Sequence, residues 1–189
     1  MLKVVKHPHP ALRYESRPVS RIDDALRTTI AEMFELMYEH RGIGLAANQV
    51  AIPYRFFVLN LTADRERRGE ELVFINPEIV KRHSTFEGEE GCLSFPGLYG
   101  EVRRARKIKV QAYNLRGEPI EVEAEDLLSR AIQHELDHLA GKLFIDYLDP
   151  ATLKSFQEKL RDFEREHRAA QTEGALPSDA ELKRLLDEA

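Results

Sequence analysis

Two histidines and a glutamate stand at helical spacing in the segment QHELDH, residues 133 to 138. Residues four apart share one face of a helix, so His134 and His138 can direct nitrogen atoms towards one metal ion. Glu135 lies between them and can reach a water molecule bound to such an ion. The pattern is typical of metal-assisted amide hydrolysis, although two half-buried, hydrogen-bonded histidines on an ordinary helix would look the same. The third protein ligand therefore decides the class of site.

Three positions compete for the role of third ligand. The metzincin pattern would require a histidine where this chain has Phe144, which cannot bind a metal. Glu158 lies downstream in a segment that mixes acids and bases as a solvated helix does. Cys92 lies in EGEEGCLSFPGLYG, where four of the ten glycines of the chain occur within thirteen residues. So much glycine indicates backbone held close to another group. A thiolate there would complete a set of one sulfur and two nitrogens with an open coordination position, whereas the alternative is an inert buried cysteine in a tight loop.

The overall charge argues against a protein that wraps nucleic acid. The 189 residues carry a formal net charge of −5, so we expect no DNA partner. The one dense basic run, RRARKIK at 103–109, reads as a solvated strand face, with a phosphate-binding patch as the less favoured alternative.

Cysteine usage and hydropathy indicate a reducing, aqueous compartment. The single cysteine allows no internal disulfide framework. The N-terminal segment lacks the apolar core of a signal peptide, and no apolar run reaches the roughly 18 residues of a membrane span. We therefore expect a cytoplasmic protein with no membrane partner.

The elements that must position these residues can be read from periodicity. DDALRTTIAEMFELMYEHRG, ending at Gly42, predicts a first amphipathic helix. RFFVLNL, LVFIN, EIVKRH, VRRARKIKVQAYN and PIEVEA predict strands of mostly antiparallel sheets, with NLRG as a hairpin turn. EDLLSRAIQHELDHLAG returns to helical period, with Leu128, Ile132, Leu136 and Leu139 as its apolar stripe and Gly141 as its end. The prediction is an α+β fold in which antiparallel sheets pack around a central helix that carries the HExxH motif.

The C-terminal segment predicts helices added to one domain. Asp149 and Pro150 are a good helix start, and Leu153, Phe156, Leu160 and Phe163 follow at heptad-like spacing. QTEGALP ends that helix, and Ser178 with Glu181 forms a capping-box pattern before a shorter one. The predicted division is a catalytic domain over 1–148 and a helical appendage over 149–189.

Three segments together resemble a known family. GIGLAANQV (42–50), EGCLS (90–94) and QHELDH (133–138), in this order and spacing, are similar to the signature segments of the peptide deformylases, which remove the formyl group from the initiator methionine of new bacterial or organellar proteins. The resemblance covers residues 1 to about 150. The remaining tail matches only the general habit of the bacterial type with a helical C-terminus.

The resemblance implies a ligand set and a mechanism. Cys92, His134 and His138 would bind one divalent metal, physiologically Fe²⁺ with Zn²⁺ or other divalent ions substituting, and an open position would hold water. Glu135 would carry the proton from that water to the departing amine. Formate and a free N-terminus would result from N-formylmethionyl nascent peptides.

The resemblance also implies how the substrate is held. Gln49 and the backbone N–H of Leu93 would donate to the oxyanion, and the Gly44 segment would pair with the substrate backbone. The methionine pocket would be lined by Ile43, Leu127, Arg130 and Ala131. Arg130 departs from an apolar lining, and we expect its stem to cover the methionine while its guanidinium reaches solvent. Phe95 and Tyr99 are placed to help form the rim, or simply to pack.

Two other functions fit parts of the sequence. The helix motif alone would suit a metalloprotease, and a non-enzymic metal-binding or ribosome-docking module is a third reading. For the tail we consider that residues 149–170 dock on the ribosome, because a basic set flanks the apolar seam: Lys154, Lys159, Arg161, Arg165 and Arg168. The alternative is that this seam packs on the protein's own core.

Overall fold

The computed structural model describes residues 2–189 and confirms an α+β fold. The regular elements, with short 3₁₀ turns between them, are α1 (Asp24–Glu39), β1 (Gly44–Ala46), β2 (Phe56–Leu59), β3 (Leu72–Gly91), β4 (Tyr99–Tyr113), β5 (Pro119–Glu125), α2 (Asp126–Leu139), α3 (Pro150–Ser155), α4 (Gln157–Thr172) and α5 (Asp179–Glu188).

The strands form one antiparallel sheet in the order β1-β2-β3-β4-β5. LVFIN and EIVKRH, which the sequence suggested as separate strands, belong to the single strand β3, with register shifts after Ile75 and after Ile79. The glycine-rich stretch at 88–91 also lies in β3, so the loop that carries Cys92 is shorter than the glycine pattern indicated. Gly88 and Gly91 therefore lie in a strand that other side chains approach closely, and not in a loop.

β2 separates two layers of core. Its alternate side chains point to opposite faces, as the period of a strand requires. Phe57 and Leu59 pack with the apolar stripe of α2, and Phe56 and Val58 pack with the buried face of α1. A strand buried on both faces holds the two helices at fixed positions on either side.

α2 is the central helix, as predicted. Ile132, Leu136 and Leu139 pack against the sheet, while both histidines of the motif are buried too. The chain leaves the helix through Gly141, whose φ of +67° lies in the left-handed region, and a Cβ there would stand 2.6 Å from the carbonyl oxygen of Arg13. Glycine is therefore required for this exit.

The tail folds back onto the rest of the chain. Its predicted first helix is interrupted at Phe156 and forms α3 and α4. Phe156, Leu160 and Phe163 pack into a cluster with Phe95, Leu98 and their neighbours, so the seam covers the protein's own core. At the other end of the tail, Arg17 donates to the carbonyl oxygen of Leu186 at 2.9 Å.

The predicted helix starts of the tail are present. The Asp149 side chain accepts from the backbone N–H groups of Ala151 and Thr152, and Ser178 Oγ accepts from the N–H of Glu181. The Glu181 carboxylate pairs with Arg184.

The basic run on β4 is only partly the solvated face that its sequence suggested. Arg103 and Arg106 are exposed, and Lys107 and Lys109 are half-buried in ion pairs with glutamates of β5. Arg104, in contrast, is only 6% exposed, and for this residue the interpretation is wrong. No helix among residues 2–189 is long and apolar enough to cross a membrane.

Candidate active site

Cys92 and the two motif histidines come together where the β3–β4 loop meets α2. One ligand atom from each of the three side chains lies within 4.8 Å of the others, and Cys92 Sγ is 3.2 Å from His138 Nε2. Glu158 is exposed on α4 outside this group, and Phe144 is buried in the core. Of the three positions weighed for the third ligand, the structure brings only Cys92 to the histidines.

The two histidines are held differently. His134 Nδ1 lies 2.9 Å from Glu90 Oε2, which leaves Nε2 for an ion. Burial alone would lower the pKa of His134, but hydrogen bonds with Cys92 and Glu90 outweigh it and raise that pKa above the usual range. Burial, helped by the charges of His134 and Arg104, lowers the pKa of His138, which favours the neutral imidazole that a metal ligand requires. His134 would have to release its proton on binding an ion.

Glu90 is the centre of a buried network that the sequence reasoning missed. Burial opposes its charge, but hydrogen bonds from His134 and Arg104 prevail and hold its pKa at about 2. Arg104 Nε donates to Glu90 Oε1 at 2.8 Å, and Arg104 also pairs with Asp137. A signal was present in EGEEGC, because strand alternation turns two adjacent glutamates to opposite faces of the sheet, so one of them can be buried. The sequence did not show which of the two that is.

Glu135 is buried next to the candidate ligands. Its Oε2 atom has no hydrogen-bond partner among residues 2–189, and burial, only partly offset by His134, raises its pKa to about 7. A Cβ at Gly44 would overlap its carboxylate. This carboxyl group can therefore take up and release a proton near neutral pH, in a space that only a glycine on β1 leaves open.

Two hydrogen-bond donors border the same space. Gln49 Oε1 accepts from the N–H of Ala46 at 2.9 Å, which turns Nε2 towards Cys92 Sγ at 3.3 Å and Ser94 Oγ at 3.2 Å. The backbone N–H of Leu93 has no partner within the described residues. Both groups can donate to an oxygen that gains negative charge.

These residues line one cleft of about 550 Å³. Of the predicted catalytic, metal-binding and substrate-binding residues, all but His138 line this cleft. They are Ile43, Gly44, Gln49, Cys92, Leu93, Leu127, Arg130, Ala131, His134 and Glu135. Leu127, 51% exposed, and Tyr99, 60% exposed, stand at the mouth, while Phe95 is fully buried.

Arg130 corrects one expectation. Its guanidinium does not reach solvent but is 5% exposed, with Nη1 donating to Glu90 Oε1 and to the carbonyl oxygen of Val102, both at 2.8 Å. It also lies over the ring of Phe86, 4.4 Å from the centroid. The side chain therefore lines the cleft while its charge is neutralised inside the protein.

β1 offers a free edge to the cleft. It is the edge strand of the sheet, and the carbonyl oxygen of Ile43 accepts from the N–H of Asn60 at 2.9 Å. Because successive peptide groups of a strand alternate in direction, those of Gly44 face the open edge. An extended peptide can add to the sheet there.

A sequence model of the family described as Polypeptide deformylase matches residues 1–154. The chain belongs to the polypeptide deformylase family. It is 40% identical over 181 residues to the peptide deformylase of Rhodopirellula baltica, covering 96% of this chain and 90% of that protein. The structure resembles crystal structures of peptide deformylase from Plasmodium falciparum (TM-score 0.86, 39% identity, 88% of this chain and 98% of that chain) and Legionella pneumophila (TM-score 0.81, 42% identity, 89% and 98%).

Membership of the deformylase family makes this chain an enzyme. The alternatives of a general metalloprotease and of a non-enzymic binding module are therefore set aside. The donor set also suits the metal dependence of the family, because one thiolate and two imidazoles match the preferences of divalent transition-metal ions. Glu135, whose Oε2 is a buried acceptor without a partner among residues 2–189, lines the same cleft.

Proposed function

We propose that this protein removes the N-formyl group from the initiator methionine of newly made polypeptides and releases formate, with one divalent ion held by Cys92, His134 and His138. The observation that carries the proposal is that the three candidate ligand atoms meet at a cleft that is also lined by the buried Glu135 and by two hydrogen-bond donors, Gln49 and Leu93. A bound divalent ion would supply Lewis acidity and lower the pKa of a water molecule in the cleft.

The side chains of this chain supply the remaining steps. Glu135 takes the proton of the attacking water and returns it to the departing amine, for which a pKa near the working pH is suited. Gln49 Nε2 and the Leu93 N–H donate to the formyl oxygen as negative charge develops on it. Both are held by the fold before substrate arrives, so little reorganisation is needed.

The substrate lies along the edge of β1. Its backbone pairs with Gly44, and its methionine side chain enters the part of the cleft bordered by Ile43, Leu127, Ala131 and the stem of Arg130. A flexible, unbranched thioether suits an apolar lining of this kind.

The decisive assay compares two products. The purified protein is incubated with a formyl-Met peptide and with an unblocked peptide of the same sequence, and formate release and internal cleavage are measured together. We expect formate from the first and no cleavage of the second. Chelation should abolish formate release, and a divalent ion should restore it. Internal cleavage without formate would contradict the proposal.

We propose Fe²⁺ as the physiological ion, with Zn²⁺ or other divalent ions able to replace it. The support is the family resemblance, since one thiolate and two imidazoles can bind Fe²⁺ as well as Zn²⁺. A thiolate bound to iron would also be open to oxidation. Activity of the Fe²⁺-loaded protein should decay faster in air than under argon, and the Zn²⁺-loaded protein should not show this difference. Equal decay in all preparations would argue against iron.

We further propose a cytoplasmic enzyme with a catalytic unit at 1–148 and an appendage at 149–189 that docks near the ribosomal exit. The apolar seam is occupied by the protein's own core, so docking would rest on exposed cations of the tail. Three cations of α3 and α4 have neither an ion pair nor a side-chain hydrogen bond among residues 2–189: Lys154, Arg161 and Arg168. Basic side chains on a helix can meet RNA phosphates.

Charge reversal tests the docking without removing core residues. Replacing Lys154, Arg161 and Arg168 by glutamate should reduce co-sedimentation with ribosomes and make the remainder more salt-sensitive. The matched control reverses three exposed cations elsewhere, Lys3, Lys81 and Arg82. Equal co-sedimentation of both triple variants and the wild type would rule out docking through this face.

A further inference from the structure

The Arg130 guanidinium is fixed on every side. Besides its bonds to Glu90 and Val102, its Nη2 lies 3.3 Å from the carbonyl oxygen of Phe86, and the Phe86 ring covers one face. A planar fork with several acceptors is more rigid than a single ammonium would be. The Arg130 guanidinium therefore restricts the position of the Glu90 carboxylate to which it donates.

The charges around Glu90 are balanced. Glu90 and Asp137 carry the negative charges of this group, and Arg104 and Arg130 carry the positive ones. Removing one member of a buried ionic group leaves a charge without compensation, which costs more than the group contributes in total. Both arginines donate to the Glu90 carboxylate, which is the group that contacts His134 Nδ1.

Gly88 on β3 provides the room for this arrangement. A Cβ at this position would stand 2.9 Å from Arg130 Nη2 and 3.1 Å from Cζ. The end of a long side chain can usually move aside, but this guanidinium is bound to three acceptors and to a ring. A side chain at position 88 would have to displace it and, with it, the carboxylate of Glu90.

We infer that Arg130 is a positioning residue that fixes Glu90 and, through Glu90, the imidazole of His134, and that Gly88 is required to admit its guanidinium. The same side chain lines the cleft, so one residue joins the wall of the methionine pocket to the orientation of a metal ligand. The inference rests on the proposed function for its kinetic part, but its metal-binding part does not depend on turnover.

Arg130→Met separates positioning from pocket lining, because methionine keeps an unbranched apolar wall and removes the fork. Co²⁺ is titrated into the metal-free protein while its visible absorption is recorded. We expect binding about tenfold weaker, the low end of what outer partners of metal ligands contribute, and an altered Co²⁺ spectrum. With formyl-Met peptide, kcat should fall more than KM rises. Arg130→Lys should recover part of the loss.

The matched control for the lost arginine is Arg106→Met, which removes an exposed arginine paired with Asp126 at the start of α2. It should bind Co²⁺ as the wild type does. A merely structural role for Arg130 would lower the melting temperature and leave the Co²⁺ affinity and spectrum unchanged, and that result would overturn the inference. If Arg130→Met does not fold, Arg130→Lys and Gly88→Ala decide the question by the same readouts.

Gly88→Ala tests the same link without touching Arg130. It should weaken Co²⁺ binding and alter the spectrum in the same direction, while Gly69→Ala, whose Cβ meets nothing within 4 Å, should have no effect. In the double variant Gly88→Ala/Arg130→Met the two losses of Co²⁺ affinity should not add, because the guanidinium that the alanine would displace is already absent. Additive losses, or a Gly88→Ala protein identical to wild type, would refute the link. Absence of formate release by the wild type would instead reject the proposed function.

Discussion

α2 and α4 show how differently two amphipathic helices of one chain use their polar residues. In α2 the polar residues Arg130, Gln133, His134 and Glu135 are all buried, whereas in α4 the charged side chains face outward and Phe163 points into the core. Burial is possible in α2 because nearly every polar atom finds a partner, as in the hydrogen bonds of Gln133 to the backbone of Ala105.

Two polar side-chain atoms of α2 are the informative exceptions. Glu135 Oε2 and His138 Nδ1 are buried and have no hydrogen-bond partner among residues 2–189. Leaving such atoms unpaired costs stability, so their presence on adjacent turns of one helix marks a functional position. The comparison predicts that substitutions around α2 impair chemistry first, while substitutions in the tail impair stability first.

The largest effect should come from removing the ligand that α2 does not supply. Cys92→Ala should lose bound metal and formate release together, because two imidazoles alone leave an incomplete set. Metal content by mass spectrometry is measured beside activity. Glu158→Ala, which removes the other residue considered as the third ligand, should retain both the bound metal and formate release. A Cys92→Ala protein with stoichiometric metal and full activity would show that the sulfur is not a ligand.

Glu135→Gln should separate metal binding from chemistry within α2. The amide can hold a water molecule but cannot accept and return its proton, so turnover should fall by about 10² to 10⁴ while the metal remains. The control is Glu125→Gln, an exposed glutamate just before α2. Near-normal formate release by a fully metallated Glu135→Gln protein would assign the proton transfer to another group.

In the tail, Phe163→Ala should change stability and leave the metal in place. Phe163 is one of the apolar anchors of α4, and truncating a buried phenylalanine costs about 3 kcal/mol. Denaturant unfolding of the metal-loaded protein measures this loss. Leu153→Ala on α3, where the side chain is 37% exposed, should cost much less. Loss of metal by a folded Phe163→Ala protein would contradict the prediction that substitutions in the tail affect stability before they affect the site.

The sequence predicted the parts of the molecule that depend on local periodicity. The central helix, the antiparallel strands and the starts of the tail helices at Asp149 and Ser178 all follow from apolar spacing and capping residues. The residues expected to form the site were found at or just behind one cleft because three segments identified them together. Their catalytic roles remain predictions.

What the sequence did not predict depends on contacts between distant segments. We predicted that Arg104 is exposed like its neighbours on β4, because strand alternation does not reveal its ion-pair partners. Those partners are Glu90 on β3 and Asp137 on α2. Arg130 was expected to reach solvent for the same reason. The predicted tail helix is broken at Phe156, whose side chain packs into the core as its spacing indicated, and periodicity alone gave no signal for the break.

The smallest expected effect lies at His9, beside the tail. Burial, helped by the neighbouring His167 and opposed by Asp179, lowers the pKa of His9 to about 4. The neutral ring serves the fold, since its Nδ1 accepts from the N–H of Ala11 at 3.2 Å and its edge meets the ring of His167 on α4.

The sign of the pH dependence follows from the two states of His9. The unfolded chain binds a proton at this residue below about pH 6.5, whereas the folded chain resists it until about pH 4. The contribution of neutral His9 is therefore complete above pH 6.5 and is lost as the pH falls towards 4. Melting temperatures between pH 4.5 and 7.5 should decline less steeply for His9→Gln than for the wild type. His40→Gln, an exposed histidine at the end of α1, should leave the wild-type slope intact. Identical slopes for all three proteins would contradict this prediction. They would mean that the tail packs beside His9 without lowering its pKa.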